Sequence, residues 1–413
     1  MSIRVKLGGA WGLASTTAIN SEAVNKTAKT AFDLAKKSCS NSDKTIRLPE
    51  MTSIKKKLRA NVKVRHEDVA AEEKLEFVKA LDAAQAETDK RIVSRMSNYG
   101  EMVRNFELVN SFGCELQWDE VRTLYIAQAV AAEAGKLEFS FRRDYGTVGF
   151  ELVKEADPNK FGHEVAQEAV ELLSATKPPS GLMNVVMDPD ISGIMAHEVM
   201  GHASEADEVI RQRSFLSSAI GKRVGSNLVT MIDDGTVPKA YGSIPFDSEG
   251  TPSSRTVIIQ DGVYRGFMHS LETAGEFDAK PTGNARAQDY NRRVFVRMTN
   301  TFFEPREATL DEIVSDTKNG LLALQGISGM EDPVGGGFQV RVLKGHLIKN
   351  GEKKDLVRGF TLTGKAIDIL KTVDMVGKDL TLSGGHCGKG EEDWVPVTSG
   401  GSYMRAKIIV GGA

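Results

Sequence analysis

Between Arg91 and Phe150 two turn signals, Asn110-Ser111-Phe112-Gly113 and Glu133-Ala134-Gly135-Lys136, cut the chain into runs with strand-like patterning. Turns this short join only antiparallel neighbours, because parallel strands need a crossover of about a dozen residues or more. This stretch therefore reads as an antiparallel meander, with Leu137, Phe139 and Phe141 alternating along its last strand. Such a sheet needs a cover on its apolar face, and helical patterns precede it. Glu22 to Lys37 reads as a helix with Ser21 as its N-cap and with Phe32 and Leu34 at apolar positions. Asp68 to Asp89, rich in Ala, Glu and Lys, reads as a second helix. The lysine-rich stretch from Lys55 to Lys63 is expected to be a solvated helix face rather than a binding tract.

A chain of 413 residues is too long for one ordinary core, so two domains are expected. Asp157-Pro158 and a helix from Gly162 to Ala175 lead to a rigid connector, Lys177-Pro178-Pro179-Ser180-Gly181. We place the boundary just before that helix. Residues 1–160 then form an N-terminal α+β domain and residues 161–413 a β-rich C-terminal domain. In the second domain Asn184 to Met187 reads as a short buried strand, and Asp188-Pro189-Asp190 opens a helix. Asp261-Gly262 joins Thr256–Gln260 to Val263–Met268 as a hairpin. Gly335-Gly336-Gly337 precedes the alternating run from Phe338 to Val342, and Asn350-Gly351 marks another turn. The expected fold class is α+β, with the helix opened by Asp188 set in the β-rich half.

Bulk properties exclude several functions. With 53 basic against 56 acidic side chains, the net charge of -3 gives no electrostatic case for nucleic acid. No apolar run approaches the roughly 20 residues that span a bilayer, and the N-terminus lacks the apolar core of a signal peptide. The three cysteines, Cys39, Cys114 and Cys387, are odd in number and far apart, which argues against a disulfide framework and for a reducing cytoplasm.

The chemistry concentrates in His197-Glu198-Val199-Met200-Gly201-His202, on the helix that Asp188 opens. A zinc peptidase needs neutral imidazoles to hold the metal, an open position for water, and a carboxylate to take that water's proton. His197, Glu198 and His202 supply two ligands and a base. With only seven histidines in the chain, such a trio arises by chance in about one chain of this length in a hundred. The alternative is a pair of helix histidines satisfied by neighbouring backbone or carboxylates. Residues five apart on a regular helix diverge by roughly 140°, so both rings reach one ion only if the helix widens or breaks. A π-bulge does this, and Gly201 is placed to tolerate the distortion. Glu205 and Asp207 follow, where they could orient a ligand histidine through its second nitrogen. A third ligand is sought in the glycine-rich segment Gly384-Gly385-His386-Cys387-Gly388-Lys389-Gly390. There Cys387 competes with His386 and with the reading of a plain glycine turn. Cys39 and Cys114 read as small buried hydrophobes.

These residues resemble the TldD/PmbA family, on its TldD-like metallopeptidase side. Ala196 to Asp207 carry the resemblance, with Tyr241 to Gly250, Thr282 to Arg286, Arg297 to Thr301 and the segment around Cys387. The resemblance covers nearly the whole chain, and the PmbA-like sister branch lacks the two-histidine motif. It implies zinc held by His197, His202 and Cys387, with Glu198 as general base. It also implies a peptide substrate, unfolded or modified and bound as an added β-strand. A dimer is implied as well, either with a PmbA/TldE-like partner subunit or of two copies of this chain. Family chains carry a further helix-and-strand segment before the stretch that here runs from Gly9 to Thr16, so the N-terminal domain is expected to be shorter than the family pattern. The loop after Cys387 is about one residue longer than usual and lacks a frequent glutamine.

The function expected is metal-dependent hydrolysis of peptide bonds. A different class stands beside it: a non-catalytic regulatory or peptide-binding subunit with a structural zinc. Glu198 separates the two, because a purely structural site needs no carboxylate beside its ligands.

Overall fold

Both turn signals of the meander close as hairpins, and local hydrogen bonding explains why. The Asn110 side-chain oxygen accepts from the backbone N–H of Phe112 and of Cys114, and Gly113 takes a left-handed φ of 86°. At the second turn Ala134 and Gly135 both have positive φ, the geometry that joins antiparallel strands through two residues. The strands Ile92–Val109, Glu115–Glu133 and Lys136–Gly146 result, with Glu115–Glu133 in the middle. This is a computed structural model; it describes residues 1–39 and 47–411, and the fold is α+β.

Helices Ala71–Thr88 and Pro158–Leu172 cover one face of this sheet. Ala127, Ala129 and Ala131 let the second helix lie close, against Val165, Ala166 and Ala169, while Phe77 and Leu81 of the first pack with Tyr125 and Phe150. Asp157 caps the second helix by accepting from the Lys160 N–H, with Pro158 in its first turn. The domain line expected at residue 160 falls at the start of this helix, whose apolar face is buried on the N-terminal sheet.

Two local expectations fail in this half. Lys55–Lys57 is no helix face but an exposed strand, paired in parallel with Glu115, Leu116 and Gln117 at the sheet edge. Lysines suit that place because their charge discourages a further strand from adding there. In the helix Ser21–Cys39 the cap is Asn20, which accepts from the Ala23 N–H. Its buried side is Thr27, Ala31 and Ala35, whereas Phe32 and Leu34 are exposed.

The C-terminal half holds two six-stranded sheets. One runs Val263–Tyr264, Arg255–Gln260, Met231–Asp234, Asn300–Phe303, Glu392–Gly401, Thr381–Lys389. The hairpin at Asp261-Gly262 forms as expected, although its return strand ends at Tyr264 instead of reaching Met268. The other runs Glu352–Lys365, Gly337–Lys349, Asn319–Asp332, Gly181–Met187, Met404–Gly411, Met375–Val376. It also curls until Thr361, Leu362 and Thr363 pair with Gly411, Val410 and Ile409. Between the sheets lies the helix opened by Asp188. Its Ile191, Met195, Val199 and Met200 belong to one continuous apolar core. Burying each such side chain contributes about 1.5–3 kcal/mol, which makes this helix a fixed platform.

Candidate metal centre

The histidine helix starts regularly and then changes pitch. Asp188 accepts from the Ile191 N–H, and Pro189–Ile194 is ordinary α-helix. Met195–Gly201 is π-helix, and the His202 N–H donates to the His197 carbonyl, five residues back. That single bond places His202 one widened turn after His197, on the same side, as the spacing requires. A 3-10 turn, His202–Ser204, ends the element. Gly201 serves a purpose other than the expected one. Its φ of -65° is ordinary helix, but a Cβ there would stand 2.1 Å from the Met298 sulfur. The glycine makes room for packing; the bulge does not need its backbone freedom.

The segment around Cys387 is also not the flexible loop its glycines suggest. It is the strand Thr381–Lys389, an edge of its sheet, paired with Glu392–Gly401. The strand brings the Cys387 sulfur to 3.4 Å from His202 Nε2. The two imidazoles lie 5.1 Å apart, nearly perpendicular, and a donor atom from each of His197, His202 and Cys387 falls within 4.8 Å of the others. All three residues are buried. Ligand bonds to zinc of about 2.0–2.3 Å at tetrahedral angles put neighbouring donors about 3.3–3.8 Å apart, so the spacing of sulfur and Nε2 fits. The donor chemistry fits as well. Burial by itself would raise the Cys387 thiol, yet His202 and His197 beside it hold it well below the ordinary thiol range, and a thiolate is the form that binds metal.

Charged partners fix the cluster from behind. Glu205, fully buried, faces His202 Nδ1 at 3.2 Å, which leaves Nε2 aimed at the sulfur. Burial would raise the Glu205 carboxyl, but Lys389 and His202 bring it down to about 2. Lys389 lies on the same strand as Cys387 and donates to Glu205 at 2.8 Å, Asp207 at 2.7 Å and the Val296 carbonyl at 3.0 Å. Arg297, wholly buried, pairs with Glu392 and donates to the Cys387 carbonyl at 2.7 Å. His197 has no such partner; its Nδ1 is buried and makes no hydrogen bond. Replacing Glu205 with glutamine should therefore weaken zinc binding by about 10- to 100-fold, through loss of control over the His202 ring. A chelator-competition titration measures this, and unchanged affinity would remove Glu205 from the site.

Glu198 lies beside the His197, His202 and Cys387 donors, and with His202 and Glu331 it forms a second trio whose potential ligand atoms lie within 4.8 Å of one another. Its side chain is partly open to solvent, with one carboxylate oxygen 3.9 Å from His202 Nε2. Facing it is Glu331, from the strand Asn319–Asp332, which no local sequence signal marks. The Glu331 carboxyl is pushed up to about 7, chiefly by burial; His202 opposes this and the Glu198 charge adds to it. His386 turns to the other face of its strand, where Nε2 meets the Tyr241 hydroxyl at 3.1 Å and Tyr145 and Trp394 pack against the ring. It is not part of the cluster. Two of the other motif stretches also build a scaffold. Asn284, Thr299 and Thr301 all hydrogen-bond to the buried Asp233.

Known proteins are similar to this chain in sequence and in fold. Residues 180–411 match the PmbA/TldA metallopeptidase C-terminal domain, and residues 65–175 match the central domain of the same family. A metalloprotease of Methanocaldococcus jannaschii is 36% identical over 99% of this chain and 90% of its own. A zinc metalloprotease TldD homolog of Saccharolobus solfataricus is 31% identical over 62% of this chain and 57% of its own. Among solved structures, TldE from Thermococcus kodakarensis shares the fold at 20% identity. Its TM-score is 0.76, over 99% of this chain and 89% of that one. Among the described residues no helix is long and apolar enough to cross a membrane. With matched domains that span most of the chain, and a relative more than one-third identical along almost all of it, this chain belongs to the TldD/PmbA family of metallopeptidases.

Proposed function

We propose that this chain is a zinc-dependent peptidase acting on unfolded or modified peptides, with His197, His202 and Cys387 as metal ligands and Glu198 as general base. One observation carries the reading. The three donors are buried together, while the Glu198 side chain beside them stays 23% exposed. A zinc that only supports the fold has no use for such a group.

Zinc held by His197, His202 and Cys387 would supply Lewis acidity towards a peptide carbonyl and a nearby water. Glu198 takes the proton that the attacking water loses, and it returns that proton to the amine nitrogen as the C–N bond breaks. Glu205, Lys389 and Arg297 keep the ligands in place throughout. The substrate strand is proposed to add along the edge strand Thr381–Lys389, whose backbone pairs on one side only among the described strands. A TldE-like partner subunit, or a second copy of this chain, would enclose the site, and the reducing cytoplasm suits its free cysteines.

The test is cleavage of unstructured peptides by the zinc-loaded protein, alone and with a TldE-like subunit. Cleavage should disappear on chelation and return with zinc. A protein that holds zinc tightly yet cleaves nothing in either state would point to the regulatory, structural-zinc reading.

A further inference from the structure

We propose that Gly329 and Glu331, on the strand Asn319–Asp332, are positioning residues that hold the Glu198 side chain over the metal cluster; this rests on the peptidase reading above. That strand is broken partway along. It pairs with Gly181–Met187 only through Leu321, Leu322 and Ala323. Then Gln325 takes a left-handed φ of 65°, its N–H donates to Asp188, and its side-chain amide reaches the Phe141 carbonyl. The register with Gly337–Lys349 shifts between Gly326 and Ser328. A bulge of this kind bends a strand and re-aims the residues beyond it.

On both sides of the bulge the strand lies against the histidine helix. A Cβ on Gly326 would stand 2.3 Å from Ile194 Cδ1. A Cβ on Gly329 would stand 2.4 Å from Glu198 Cγ and 2.6 Å from Ile194 Cγ2. The strand backbone is thus laid directly on the Glu198 side chain, and only a residue without Cβ permits it. Glu331, two residues on and so on the same side of the strand, completes the wall. Its carboxylate lies within 4.8 Å of donor atoms of both Glu198 and His202. Gly329 fixes where the Glu198 stem runs, and Glu331 meets its far end. A base must sit within a few tenths of an ångström of its working position, so both contacts bear on turnover rather than on metal binding.

Three variants test this: Gly329→Ala, Glu331→Ala and Glu331→Gln, each made in the parent and in a Glu198→Gln background. In the parent, Gly329→Ala and Glu331→Ala should each lower kcat by about 10- to 100-fold with KM and zinc stoichiometry unchanged. Glu331→Gln, which keeps the shape and a hydrogen-bonding group, should restore most of the rate. In the Glu198→Gln background the same substitutions should have no further effect, since residues that act through one group are not additive. A crystal structure of zinc-loaded Gly329→Ala should show Glu198 moved from its 3.9 Å approach to His202. Equal losses in both backgrounds, zinc lost in Glu331→Ala, or an unmoved Glu198 would overturn the proposal. Failure of the peptidase reading looks different, because the parent itself would then turn over no peptide. The Glu198 position in Gly329→Ala would still decide whether the strand holds it.

Discussion

Glu198→Gln is expected to lower kcat by at least about 100-fold while zinc content and fold stay at the parental level. The glutamine has the same shape and fills the same space against Gly329, so packing is kept. It is not among the three buried donors His197, His202 and Cys387, so the metal is expected to be kept as well. What is lost is the capacity to accept a proton from water and hand it to the leaving amine. Steady-state peptide cleavage together with zinc analysis on the same preparation measures both halves of this. A variant that cleaves at the parental rate would remove Glu198 from the chemistry. One that loses zinc would make it a ligand.

Cys387→Ser should act on the other half of the site, weakening zinc binding by at least about 100-fold and abolishing cleavage. A serine hydroxyl stays protonated at neutral pH, so the two imidazoles lose the thiolate placed against them, while Glu205 remains on the far nitrogen of His202. The strand itself should persist, because the Cys387 carbonyl is held by Arg297 and the backbone pairs with Val395. Circular dichroism should therefore be unchanged while competition with a chromophoric chelator shows the loss. His386→Ala is the internal control: that ring faces Tyr241, and its removal should leave zinc affinity as it was. Parental affinity in Cys387→Ser, or its loss in His386→Ala, would reassign the third ligand.

Structure set by residues close in sequence is legible in the chain, for a definite reason. Turns such as Asn110–Gly113 and Ala134-Gly135 are closed by hydrogen bonds and φ preferences within a few residues, so the pattern of residues decides them. The π-helical turn is legible too. Two imidazoles five apart cannot converge on a regular helix, and the i to i+5 bond from His202 to His197 resolves that conflict. Local patterns mislead where neighbours far along the chain set the conformation. Lys55–Lys57 is a strand because Glu115–Gln117 offers a sheet edge. The glycines around Cys387 lie in a strand, where Gly384 allows Tyr145 within contact: a Cβ there would stand 2.3 Å from Tyr145 Cβ.

The sequence by itself determined the donor types, the helix that presents two of them and the carboxylate of Glu198 between them. Each of these arises from side-chain chemistry and from backbone geometry that repeats over a few residues. In the sequence Cys387 is one of two third-ligand candidates, favoured by family resemblance; only the tertiary structure set its sulfur against His202 and turned His386 away. Only the tertiary structure, likewise, put Lys389 between Glu205 and Asp207, fitted Met298 against Gly201 and laid Gly329 on Glu198. Those contacts join segments that no periodicity links, and they exist because two sheets pack from both sides on one buried helix. Close packing over long sequence separation fixes such positions to within ångströms, and a local pattern of residues carries no record of it.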